Sequence, residues 1–104
     1  MILFMNLKKN YLNMVKNEEK EYGFYFGPRI LFIEFNIPST LIEVILIYHE
    51  IIESFPNTEI QIIAYKNMLG YWAAYDLIDH KSIYCGTMNL KTTKEQINKY
   101  LKND

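Results

Sequence analysis

The run His49-Glu50-Ile51-Ile52-Glu53 is the nearest approach in this chain to a metal-binding motif. In the helical pattern H-E-x-x-H, two imidazoles one turn apart hold zinc and the glutamate serves as base. Here Glu53 stands where the second histidine is required, and the other histidine, His80, lies far along the chain. A solvated helix face is the simpler expectation, with no metal and no cofactor. Asp79, His80 and Ser82 have the residue types of a catalytic triad, but they crowd into one turn with no oxyanion donors in view. Gly23, Gly27, Gly70 and Gly86 are too dispersed for a phosphate-binding loop or a dinucleotide fingerprint. Cys85, the single cysteine, reads as a small buried hydrophobe and suits a reducing cytoplasm. The residues therefore give no catalytic signature, and the chain is expected not to be an enzyme.

The element that must carry any surface of interest is a helix from Thr40 to Ser54. Thr40 and Glu43 form an S/T-x-x-E capping box, Ile37-Pro38 keeps the entry extended, and Phe55-Pro56-Asn57 closes the exit. Helical spacing places Leu41, Val44, Ile45, Tyr48, Ile51, Ile52 and Phe55 on one broad core face. Glu43, Glu50, Glu53 and Ser54 fall opposite, and Ile42 and Leu46 sit among those carboxylates. They pack beneath an N-terminal helix, or they form an apolar spot ringed by acid that suits a protein partner.

Around this helix the pattern predicts an α+β domain in the order α-β-β-α-β-β-β-α, an antiparallel sheet with helices packed on it. Phe4, Leu7, Tyr11, Leu12, Met14 and Val15 predict an amphipathic helix between about Leu3 and Glu18. Tyr22 to Phe26 and Ile30 to Phe35 predict a hairpin about Gly27-Pro28. Glu59 to Lys66, Leu69 to Ile78 and Ser82 to Met88 predict a three-stranded meander. Thr92 and Glu95 repeat the capping box before a short terminal helix bearing Ile97, Tyr100 and Leu101. The 104 residues fit a single domain, and half of them are hydrophobic.

The net charge of −1 conceals a segregated distribution. Residues 34–79 carry seven carboxylates against Lys66 alone, while the flanking segments are basic. An acidic centre disfavours direct binding of nucleic acid. The aromatic run from Tyr22 to Gly27 only faintly resembles an RNA-recognition motif, since it lacks the leading basic residue. The longest apolar run, inside the central helix, is too short to span a bilayer, so no membrane partner is expected. Met1 to Met5 lacks the basic segment and cleavage site of a secretory signal.

From Gly27-Pro28 onward the chain resembles the staphylococcal-type uracil-DNA glycosylase inhibitors. The pieces that carry the resemblance are Leu41 to Ser54, Asn57, the Ile60 to Lys66 strand ending Ala64-Tyr65-Lys66, Gly70-Tyr71, and Asp79-His80. The resemblance implies a small inhibitor of phage or mobile-element origin whose carboxylates stand in for DNA phosphates. Its partner would be a host nucleic-acid enzyme, and its contacts Glu43, Glu50 and Glu53 with Ile42 and Leu46 as apolar neighbours. The element order is also similar to that of roadblock-type dimerisation domains, which implies a scaffold and a homodimer as the alternative.

Overall fold

A computed structural model of the chain describes residues 13–17, 20–36 and 39–103. Its elements are β1 (Asn13–Asn17), β2 (Lys20–Gly27), β3 (Arg29–Phe35), α1 (Leu41–Ser54), β4 (Ile60–Lys66), β5 (Trp72–Asp76), β6 (Lys81–Thr87) and α2 (Leu90–Lys102). The strands form one sheet in chain order, β1-β2-β3-β4-β5-β6. The α+β class expected from the sequence is therefore present.

The expected element order is not. Asn13–Asn17, placed above inside an N-terminal helix, is a strand paired antiparallel with β2. Met14 and Val15 fit a helical spacing, but so short an apolar run does not distinguish the two periods, and pairing with β2 decides. The remainder of that expected helix lies outside the described residues. The sheet is also mixed, because β3 and β4 run parallel. That pairing follows from the connection: a helix crosses from the end of β3 back to the start of β4, and such a crossover returns the chain in the same direction. The other strand pairs are antiparallel, including the predicted Gly27-Pro28 hairpin and the β4-β5-β6 meander.

The two helices take opposite faces of the sheet. Val44, Ile47 and Ile51 of α1 pack on Tyr22, Phe24, Leu31, Ile33, Ile63 and Tyr65. On the other face Ile97 of α2 packs with Tyr25, Ile30, Phe32, Ile62, Ala64, Trp72, Ala74 and Cys85. Strands β3 and β4 feed both layers through successive residues, which explains why their sequences are apolar almost throughout. Helix α2 begins two residues before the predicted capping box. Asn89 is its cap, with Oδ1 accepting from the Thr92 amide at 2.9 Å, and Thr93 is buried.

Strand directions give the molecule two distinct ends. At one lie the starts of both helices, the β4–β5 turn and the end of β6. At the other lie the Gly27-Pro28 hairpin, the β5–β6 turn and the ends of both helices.

Candidate functional site

Helix α1 is fixed at both ends by its own sequence. The Glu43 amide donates to Thr40 Oγ1 at 3.3 Å, and Glu43 Oε1 accepts from the Thr40 amide at 2.8 Å, so the capping box is complete. At the exit the Phe55 amide donates to the carbonyls of Ile51 and Ile52. The Phe55 ring sits edge-on to Phe24 and Phe26, at 6.0 and 5.4 Å between centroids. Ile47, absent from the core face predicted by spacing, is buried between Val44 and Ile51.

The opposite side of α1 carries an exposed stripe of Ile42, Leu46, His49, Glu50 and Glu53, at spacings that align them along the axis. Ile42 is 72% exposed and Leu46 60%. Glu43 is set apart from this stripe, being half-buried with its carboxylate engaged by the cap. The structure thus brings together four of the five residues singled out above. His49 joins them with its ring 5.2 Å from that of Tyr48. Beneath, the Tyr22 hydroxyl is pushed up to about 12, first by burial and second by the charge of Glu50.

A second polar assembly lies at the far end of the sheet. Asp76 is fully buried at 0% exposure. Its Oδ1 accepts from the amides of Ile78 and Asp79 at 2.9 and 3.0 Å, and its Oδ2 from Tyr100 Oη at 2.6 Å and Gln61 Nε2 at 3.3 Å. Arg29 Nη2 in turn donates to Gln61 Oε1. Arg29 adopts a φ of 66°, in the left-handed region that non-glycine residues seldom occupy. Burial acts to raise the Asp76 carboxyl, but the four donors outweigh it and hold the group below its usual range. With both oxygens engaged, Asp76 offers a substrate no proton acceptor and instead ties β4, β5 and α2 together. Its sequence signal was a carboxylate in phase with buried Trp72 and Ala74, a position at which an acid requires partners.

The remaining chemical candidates do not assemble. His80 and Ser82 are exposed, and Asp79 contributes its amide to Asp76. Cys85 is buried, and burial pushes its thiol up, away from the reactive thiolate. Among the described residues no group of three His, Cys, Asp or Glu side chains is placed to hold a metal ion. No helix in the described residues is long and apolar enough to cross a membrane. No family model, curated protein or solved structure matches the chain.

Proposed function

We propose that this chain is a non-catalytic protein-binding module whose outer α1 face docks on a basic, partly apolar surface of a host protein. The observation that carries the reading is that Ile42 and Leu46 are held in water beside Glu50 and Glu53, on a helix whose other side is sealed against the sheet. A rigid backbone presenting apolar anchors within a charged rim lowers the ordering cost of association. The partner class favoured by this chemistry is a nucleic-acid enzyme, whose phosphate-binding cleft accepts carboxylates spaced along a helix. Uracil-DNA glycosylase is the specific target implied by the resemblance of the sequence, and the module then acts as an inhibitor of phage or mobile-element origin in a reducing cytoplasm. Glu43, committed to the cap, contributes less than Glu50 and Glu53.

The test is uracil excision in the presence of excess protein. Inhibition is expected to weaken as salt rises, because attraction between exposed charges is screened over about 8 Å at physiological ionic strength. Glu50→Gln should slow association, and Leu46→Ala should hasten dissociation. Excision unaffected at a large molar excess excludes this enzyme as the target. Binding to other enzymes of the class that is indifferent to both salt and Glu50→Gln excludes phosphate mimicry altogether.

A further inference from the structure

Helices α1 and α2 run in the same direction on opposite faces of the sheet, and both lie over its central pair, β3 and β4. The end of α1 is marked by Phe55 against Phe24 and Phe26 near the hairpin, and the end of α2 by Tyr100 on Asp76, at the same end of the molecule. Their outward rows also correspond position by position. Counted from the first helical residue, Leu41 or Leu90, the row Ile42, Leu46, His49, Glu50 and Glu53 of α1 falls at the same steps as Lys91, Glu95, Asn98, Lys99 and Lys102 of α2. Every residue in both rows is exposed. The rows differ in sign. That of α1 has two carboxylates and no lysine or arginine, whereas that of α2 has three lysines against Glu95. Lys81 adds to the base at the last turn of α2, with Nζ over the Tyr100 ring at 5.5 Å.

We propose that the α1 face of one copy docks on the α2 face of the next, so that the chain stacks head to tail. Because the two helices share a direction and a central position, a shift along the sheet normal brings them together parallel and in register. Glu50 and Glu53 then stand level with Lys99 and Lys102, at the same three-residue spacing, a rise of about 4.5 Å. Ile42 and Leu46 come level with Lys91 and Glu95, the lysine stem covering apolar surface while its charged end stays in water. Opposite sign selects this occupant: two α1 faces would oppose Glu50 and Glu53 to their own copies, and two α2 faces would oppose Lys99 and Lys102 to theirs. The contact joins different patches, so it does not close at two copies and further copies add at either end. One helix face on each side is less than a standard interface, so the stack is weak and forms at roughly tens to hundreds of micromolar. The inference goes beyond the reading above by giving α2 a role. It occupies the α1 face that the host protein would take, so host and next copy compete, but it does not depend on what the host protein is.

The experiment is sedimentation velocity on the full chain from about 1 to 500 μM, in about 0.05 and 1 M salt, with a 12.5 kDa monomer as reference. The weight-average mass is expected to climb past that of a dimer at low salt and to fall back to the monomer at high salt. Glu50→Lys with Glu53→Lys makes both faces basic, and Lys99→Glu with Lys102→Glu makes both acidic. Each variant alone should stay monomeric, and an equimolar mixture of the two should associate again. All four positions are exposed, so the fold should be kept, as thermal midpoints check. Lys99→Gln with Lys102→Gln, which puts no carboxylate at the end of α2, should weaken association at least about tenfold. A monomer at every concentration in low salt overturns the proposal, as do a closed dimer, association indifferent to Lys99→Gln with Lys102→Gln, and a mixture that does not recover. Lys99→Glu with Lys102→Glu keeps the α1 row intact and should still inhibit uracil excision, so loss of stacking and loss of host docking are read separately.

Discussion

Tyr100 donates its hydroxyl to Asp76 Oδ2 at 2.6 Å, and this bond fastens the last turn of α2 to the end of β5. Hydrogen bonds to charged groups contribute about 1.5–3 kcal/mol. Tyr100→Phe keeps the ring, over which Lys81 Nζ lies at 5.5 Å, and removes the hydroxyl alone. A loss of that size in urea unfolding at pH 7 is expected, and a midpoint unmoved by the substitution would show that water replaces the donor at no cost.

The same bond has a pH signature. Asp76 is held below its usual range in the folded chain, so the unfolded chain takes up the proton first as pH falls. The stabilisation is fully present above the unfolded carboxylate value of about 4 and is lost as pH drops toward the lower folded value. Parent and Tyr100→Phe stabilities should therefore converge in acid, since the variant has already lost one of the donors that depress the group. Parallel curves from pH 7 to pH 2 would contradict this.

Gly86 cannot be exchanged freely. It adopts a φ of 66°, and a Cβ there would collide with the ring of Tyr84, which folds over it at the irregularity where β6 slips against β5. Gly86→Ala is expected to cost more than about 1 kcal/mol, from backbone strain and the clash together. Because Tyr84 is 90% exposed and can swing away, adding Tyr84→Ala should recover only the steric part. Thermal denaturation of the two single variants and the double variant measures the split, and full recovery would assign the whole cost to the ring.

Tyr22 reports on the α1 face. Its hydroxyl stands at about 12 through burial and then through Glu50, so Glu50→Gln should lower it while burial keeps it above the ordinary value near 10. Ultraviolet titration of the parent and Glu50→Gln, with Tyr22→Phe to identify the transition, gives the shift. An unchanged titration would place the Glu50 carboxylate out of range of the hydroxyl.

The α1 cap, the Gly27-Pro28 hairpin and the meander were legible because each depends on residues close in sequence, whereas the cap of α2, expected at Thr92 with Glu95, falls to Asn89. Thr40 with Glu43 is the clearest instance, since the motif states its own hydrogen bonds. The parallel β3–β4 pairing was not legible, because the near-continuous apolar runs in β3 and β4 suit either direction. Asn13–Asn17 carries no decisive period of its own, because so short an apolar run also fits a helix, and its pairing with β2 is not written in its residues. On α1 the outward stripe followed from spacing. The place of Glu43 in the cap was written in the same capping box, whereas only the structure showed that His49 completes the row. The Arg29–Gln61–Asp76–Tyr100 chain joins four separate elements, and its single local hint was an acid in a buried phase.

The β3–α1–β4 crossover also divides the chain in time. On either side of it, every strand pair joins neighbours in sequence, so each half can search for its contacts over short loops. Closing the sheet requires β4 to find β3 across the whole of α1, a single long loop that neither half can avoid. That seam is expected to be the slow encounter, with Ile33 and Ile63, buried beside it against α1, making their contacts as it closes. Ile63→Val should accordingly appear mainly as slower refolding in stopped-flow traces, while Ile83→Val, on the outermost strand of the meander, should appear mainly as faster unfolding.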